Sequence, residues 1–226
     1  MTLLMVRHGQ ASFGKANYDE LSERGHMQAY QLGLWLADHQ HVFSHVRIGG
    51  MHRHGQTLEG IAKAYREREL SLPSHEVDDD LNEFDHGSVF TAYMQQNAGH
   101  AIVKAAATGE TRATGAMVHA ALLAWVDDRL GDLPETWSSF GIRARLAAER
   151  LHDIESDETL VISSGGLISR IAQAALDIPD HRAVDLNISL RNSALSEFHA
   201  RDRQWRLGMW NALPHLHNAK DMWTYF

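Results

Sequence analysis

The sequence predicts a three-layer α/β/α domain with a mostly parallel central sheet and a helical cap, and three observations carry that expectation. Two short apolar runs, in "HVRIGG" and in "LVISSGGLISRIAQAAL", end at paired glycines and pass into helical patterns, the succession of a βα unit. Residues 88–155 are mainly helical in character, more helix than crossovers require, which reads as an inserted covering layer. No linker or low-complexity segment divides the 226 residues, so one domain, 1–226, is expected, with the 88–155 insertion inside it.

Taken in order, residues 3–6 form an apolar run that reads as a buried strand and delivers Arg7 and His8 to the following loop. A helical pattern follows, with Ser22 or Glu23 near its start and Ala29, Leu32 and Leu36 on one face. "HVRIGG" is a second strand and "QTLEGIAKAYRER" a second helix, and Gly109 and the Gly131–Pro134 stretch break the helices of the insertion. After the late βα unit, "VDLNISLRNSALSEFHARDRQWRLGMW" contains three stretches of approximate alternation with turn signals between them, which predicts a hairpin or meander.

Composition narrows the function. An apolar fraction of 44% and a charged fraction of 22% belong to a chain that builds a packed core rather than a disordered one. The net charge of −8, with no basic block, argues against nucleic acid as a partner. No run is long enough to span a bilayer and no leader pattern precedes the first strand, so a cytoplasmic location and no membrane partner are expected. With no cysteine, thiolate nucleophiles and zinc-thiolate sites are excluded. The 16 histidines include none in a ligand spacing such as H-E-x-x-H, so no metal and no cofactor are expected.

One tetrapeptide occurs twice, RHGQ, at 7–10 and at 53–56. The first copy ends an apolar strand, and it brings an imidazole that can attack phosphorus, a guanidinium that can bind phosphate, and a glycine that permits close backbone approach. The second opens a helix, where Arg53 lies beside free backbone N–H groups and is well placed for an anion. No chemistry in this pattern requires His54, and its replacement by alanine is expected to leave activity nearly unchanged.

In sequence order, "VRHGQ", "LSERGHMQAYQLGLWL", "RHGQT", "LNEFDHG" and "VISSGGLI" resemble the motifs of the histidine phosphatase superfamily, the phosphoglycerate-mutase-like fold, and "NISLRNSALSEF" is similar to its closing strands. The resemblance implies a phosphomonoesterase that acts on a small phosphorylated metabolite through a phosphohistidine at His8. It makes Arg7 and Arg53 the holders of the phosphoryl oxygens, adds Asn17 to the phosphate-binding set, and makes Glu83 the general acid, with Asp85 and His86 as nearby substitutes. Where that family usually carries a second pocket histidine, this chain has Ser164, followed by Gly165 and Gly166, whose hydroxyl and backbone N–H groups would complete the cradle. The competing expectation is a catalytically silent relative that binds a phosphorylated ligand or protein. A mutase ranks below both, and a homodimer contact through Trp210, Trp223, Tyr225 and Phe226 competes with a tail that packs on its own domain.

Overall fold

The computed structural model describes residues 1–12, 19–154 and 156–225; Asn17 and Phe226, both named above, lie outside the described residues. Its six strands are β1 (Thr2–Arg7), β2 (His45–Ile48), β3 (His75–Val77), β4 (Glu158–Ser163), β5 (Leu195–Arg201) and β6 (Gln204–Ala212), in the spatial order β3-β2-β4-β1-β5-β6. The first four run parallel, and β5 and β6 close one side as an antiparallel hairpin. The mostly parallel α/β sheet expected from the sequence is therefore present.

Alternation along β1 shows how the layers arise. Leu4 and Val6 point to one face, where they join Val46, Ile48, Leu160 and Ile162 under the helices α1 (Glu23–Asp38) and α2 (His52–Glu67). Leu3 and Met5 point to the other, into a larger core shared with α5 (Thr111–Val126), α6 (Trp137–His152), α7 (Gly165–Leu176) and α8 (Asp180–Ser189). Between β3 and α5 lie α3 (His86–Gln96) and α4 (Ala101–Ala107). Gly109 and Gly131, the expected breaks, adopt φ values of 82° and 77°, which a side chain would disfavour.

Two expectations change in detail. The first of the three alternating stretches near the end is not a strand: Val184–Ser189 belong to α8, which begins after Pro179 with Asp180 in its first turn and buries Ala183 and Val184. The short β3, all three residues of which are exposed, has no apolar alternation by which it could have been predicted. The tail packs on its own domain: the Trp223 indole donates to the Leu216 carbonyl at 3.1 Å, and the Arg191 guanidinium lies 4.5 Å above the Trp223 ring.

Candidate active site

All four parallel strands aim their carboxyl ends at one crevice, the usual place for a ligand in an open α/β sheet. At the end of β1, the His8 N–H donates to the Ser163 carbonyl (3.0 Å) and its own carbonyl accepts from the Ser193 N–H (3.1 Å). The residue is thus clamped between β4 and the start of β5. A Cβ on the next residue, Gly9, would lie 2.4 Å from the Gly25 carbonyl oxygen, so the loop can approach the start of α1 only with glycine there. Ser22 caps that helix by accepting from the Gly25 N–H.

The His8 imidazole is 4% exposed, and both ring nitrogens are engaged. Its Nδ1 lies 2.7 Å from the Gly9 carbonyl oxygen, which can only accept, so Nδ1 carries the hydrogen. Nε2 in turn accepts from the Arg53 Nε at 3.2 Å, so its lone pair faces the guanidinium. Burial, then the charges of Arg53 and Arg7 and the proximity of His54, hold the imidazole well below the ordinary histidine range, while the Gly9 carbonyl acts the other way. The ring is therefore neutral and unprotonated at Nε2.

Arg53 is 2% exposed on the first turn of α2. Its Nη1 pairs with Asp19 at 2.7 Å, and Asp19 also accepts from the His52 N–H at 2.9 Å, tying the guanidinium to the helix start. Thr57, one turn on, accepts from the Gly9 N–H (3.1 Å) and donates to the Arg53 carbonyl (2.7 Å). Arg7 is held by backbone carbonyls: Nη1 donates to Leu190 and Nη2 to Tyr225, the latter at 2.8 Å. Asp19, Thr57 and the chain at Tyr225 carry no local signature of these contacts, which arise only when distant segments meet.

The second RHGQ copy holds a surprise. His54 is fully buried, its ring centroid is 5.8 Å from that of His8, and its Nε2 is 2.8 Å from the Ser164 hydroxyl oxygen. Ser164, also fully buried, receives a further, longer hydrogen bond from the Arg53 Nη2 at 3.4 Å. An imidazole thus stands directly behind the serine, so His54 is no bystander to the site. Burial, then Arg53, lower His54 to about 3, against the opposing influence of the Gly49 carbonyl and Asp19.

Because His8 and His54 stay neutral when folded but titrate near 6.5 when unfolded, the unfolded chain binds more protons below that pH. Stability is expected to fall as pH drops from about 6.5 toward 3, by about 1 kcal/mol per pH unit from His54, with His8 acting in the same direction. Thermal unfolding at pH 7.5 and pH 5 reads this loss, and His54→Asn should make it smaller.

Glu83 follows β3 in a loop held by α6. Arg143 donates to the carbonyls of Asp80 (3.0 Å), Asn82 (2.8 Å) and Glu83 (3.5 Å) while it pairs with Glu135, and the Ser163 hydroxyl donates to the Leu81 carbonyl. The Glu83 carboxylate accepts from the Gly166 N–H at the start of α7 at 3.1 Å, and a Cβ on Gly166 would come within 2.2 Å of it. The Gly166 N–H, expected to face a phosphate, is therefore occupied by Glu83. Asp85 instead caps α3 by accepting from the Ser88 N–H. His86 lines the crevice and is lowered chiefly by burial.

Arg7, His8, Arg53 and Glu83 line a single cavity of about 200 Å³, with Asn187 and Tyr225 at its edge. Ser164 and Gly165, expected to complete the cradle, are buried and do not line the cavity; Ser164 stands behind Arg53, and Gly165 sits against Asn187 and the Arg7 guanidinium. Among the described residues, no group of three or more His, Asp or Glu side chains is arranged to hold a metal ion, and no helix is long and apolar enough to cross a membrane.

An α/β sheet with one buried and one half-buried arginine around a neutral histidine at its carboxyl edge defines a phosphate-handling class of site. The chain belongs to the histidine phosphatase superfamily, branch 1, whose family model matches residues 3–213. No match is found among curated protein sequences. Among solved structures it is similar to the α-ribazole phosphatase of Shigella flexneri, with 20% identity over 94% of this chain and 97% of the other and a TM-score of 0.63. It also resembles a phosphoserine phosphatase of Entamoeba histolytica in complex with 3-phosphoglyceric acid (17%, 95% and 98%, TM-score 0.64). A phosphoglycerate mutase of Bacillus anthracis is similar to the same degree (18%, 97% and 96%, TM-score 0.65). At these identities the likeness concerns the fold.

Proposed function

We propose that the chain is a phosphomonoesterase that works through a phosphohistidine at His8. The observation that supports this reading best is the protonation pattern of the buried imidazole: Nδ1–H is fixed on the Gly9 carbonyl, which leaves the Nε2 lone pair beside the Arg53 guanidinium. A phosphoryl group bound between Arg53 and Arg7 replaces the guanidinium as the partner of Nε2. Two cationic forks supply the charge that the transferring oxygens need, so the reaction draws on no metal.

In the first step Nε2 bonds to phosphorus as the ester P–O bond breaks, and Glu83 gives its proton to the departing alcohol oxygen. In the second, Glu83 takes a proton from water as the water oxygen attacks phosphorus, the P–N bond breaks, and orthophosphate leaves with His8 neutral again. Hydrolysis of 4-nitrophenyl phosphate without added metal, together with acid-labile phosphate on the protein during turnover, tests this. A chain that binds phosphate but never carries acid-labile phosphate is a silent relative instead.

Glu83→Gln is expected to slow alkyl phosphates by roughly 10²- to 10⁴-fold, and 4-nitrophenyl phosphate far less, because a stable phenolate needs little proton transfer. Rate constants for both substrate types check this. Equal losses would remove Glu83 from the acid role.

A further inference from the structure

The cavity has two chemically distinct parts. Its floor carries Arg7, His8, Arg53 and Glu83. The rest of the lining is mainly apolar, Phe84, Phe90, Met117, Val118, Leu122 and Ile188 from the loop after β3 and from α3, α5 and α8, with the uncharged polar side chains of Thr114, Asn187 and Tyr225 among them. Among the described residues no cationic side chain other than the two floor arginines lines it. His86, which also lines it, is kept toward its neutral form chiefly by burial.

From this division we infer that the preferred substrates are monophosphates of small apolar alcohols, with a benzyl-sized ring or a short alkyl chain as the leaving group. The inference rests on the phosphatase reading of the same cavity and deepens it. A second anionic group, such as the carboxylate of phosphoglycerate or phosphoserine, would be stripped of water against Phe90, Met117 and Val118, where none of the described residues supplies a cation to meet it. An apolar leaving group gains from burial on the same surfaces. The volume, about 200 Å³, lies below the usual range for pockets that take drug-sized ligands, which favours a small leaving group.

The test compares esters of primary alcohols, so that leaving-group chemistry is similar: benzyl and n-hexyl phosphate against glycerol 3-phosphate and 3-phosphoglycerate. The expected result is a kcat/KM for benzyl phosphate roughly 100-fold above that for 3-phosphoglycerate, the order set by burying one ring against desolvating one carboxylate. Phe90→Lys, which places a cation on a half-buried part of the wall, should narrow that ratio by roughly tenfold or more, chiefly through KM. A 3-phosphoglycerate value equal to or above that of benzyl phosphate, in a protein that hydrolyses 4-nitrophenyl phosphate, overturns the inference and leaves the phosphatase reading standing. If nothing is turned over, calorimetric titration with benzyl phosphate and 3-phosphoglycerate decides it by affinity: tighter benzyl phosphate supports the apolar wall, and tighter 3-phosphoglycerate overturns it.

Discussion

His8→Ala is expected to lower turnover of every phosphomonoester by roughly 10⁴-fold or more, to the rate of the buffer, because the covalent route disappears and only phosphate binding is left. The loss should be in kcat. Arg53 keeps its pair with Asp19 and Arg7 its two backbone carbonyls in the variant, so the guanidiniums have no reason to move. Affinity for orthophosphate should therefore change little. Steady-state kinetics with 4-nitrophenyl phosphate, calorimetry with phosphate, and acid-labile labelling separate the two effects. A variant that retains more than a hundredth of the wild-type kcat would mean that the phosphoryl group is accepted elsewhere.

The second large effect concerns the pair behind the cradle. Considered from sequence alone, Ser164→His would restore the histidine usual in the resembled family and would separate a working pocket from a silenced one. The structure leaves no room for it: Ser164 is fully buried and the His54 Nε2 is 2.8 Å from its hydroxyl. A second imidazole would overpack the site, and a loss of about 1–3 kcal/mol in stability is expected, with no gain in rate. His54→Ala should lower kcat by roughly 10- to 100-fold, since the Ser164 hydroxyl loses its nearer partner and a void opens beside His8. His54→Gln, whose amide can reach the place of Nε2, should keep most of the activity, which a purely space-filling role would not predict. The double variant His54→Ser with Ser164→His moves the ring from α2 to the start of α7, and its activity should exceed that of either single variant. Denaturation midpoints and kcat for the five variants, Ser164→His, His54→Ala, His54→Gln, His54→Ser and the double variant, check the set, and a fully active, stable Ser164→His protein would show that the site has room to spare.

Much of the frame was legible before folding. The strands at 2–7, 45–48 and 158–163 and the helices after them announce themselves by apolar runs, glycine turns and 3.6-residue periodicity, all local signals. The two stretches misjudged or overlooked lack such a signal. "VDLNIS" alternates as well as a strand does, and only its packing beside α7 makes it helical, while the exposed β3 is a strand solely because β2 pairs with it. At the site, Arg7, His8, Arg53 and Glu83 were readable as motif members, and the cavity gathers all four. The part played by His54 was not readable, since it depends on which turn of α2 faces the end of β4. Asp19 and Arg143 were invisible for the same reason: one steadies Arg53 from a loop, the other steadies the Glu83 loop from a helix 60 residues away.

Two of the acceptors that hold Arg7 are main-chain carbonyls, at positions 190 and 225, and a carbonyl survives any change of side chain. These two contacts depend on the route the chain takes past those positions rather than on which side chains stand there. That route is pinned by the Thr224 hydroxyl on Asn192 and by Gln28 reaching both Met222 and Thr224. Changes in the closing segment thus reach Arg7 through the course of the main chain, which those two points stitch down. An unstitched end would loosen an arginine that lies more than two hundred residues earlier in the chain.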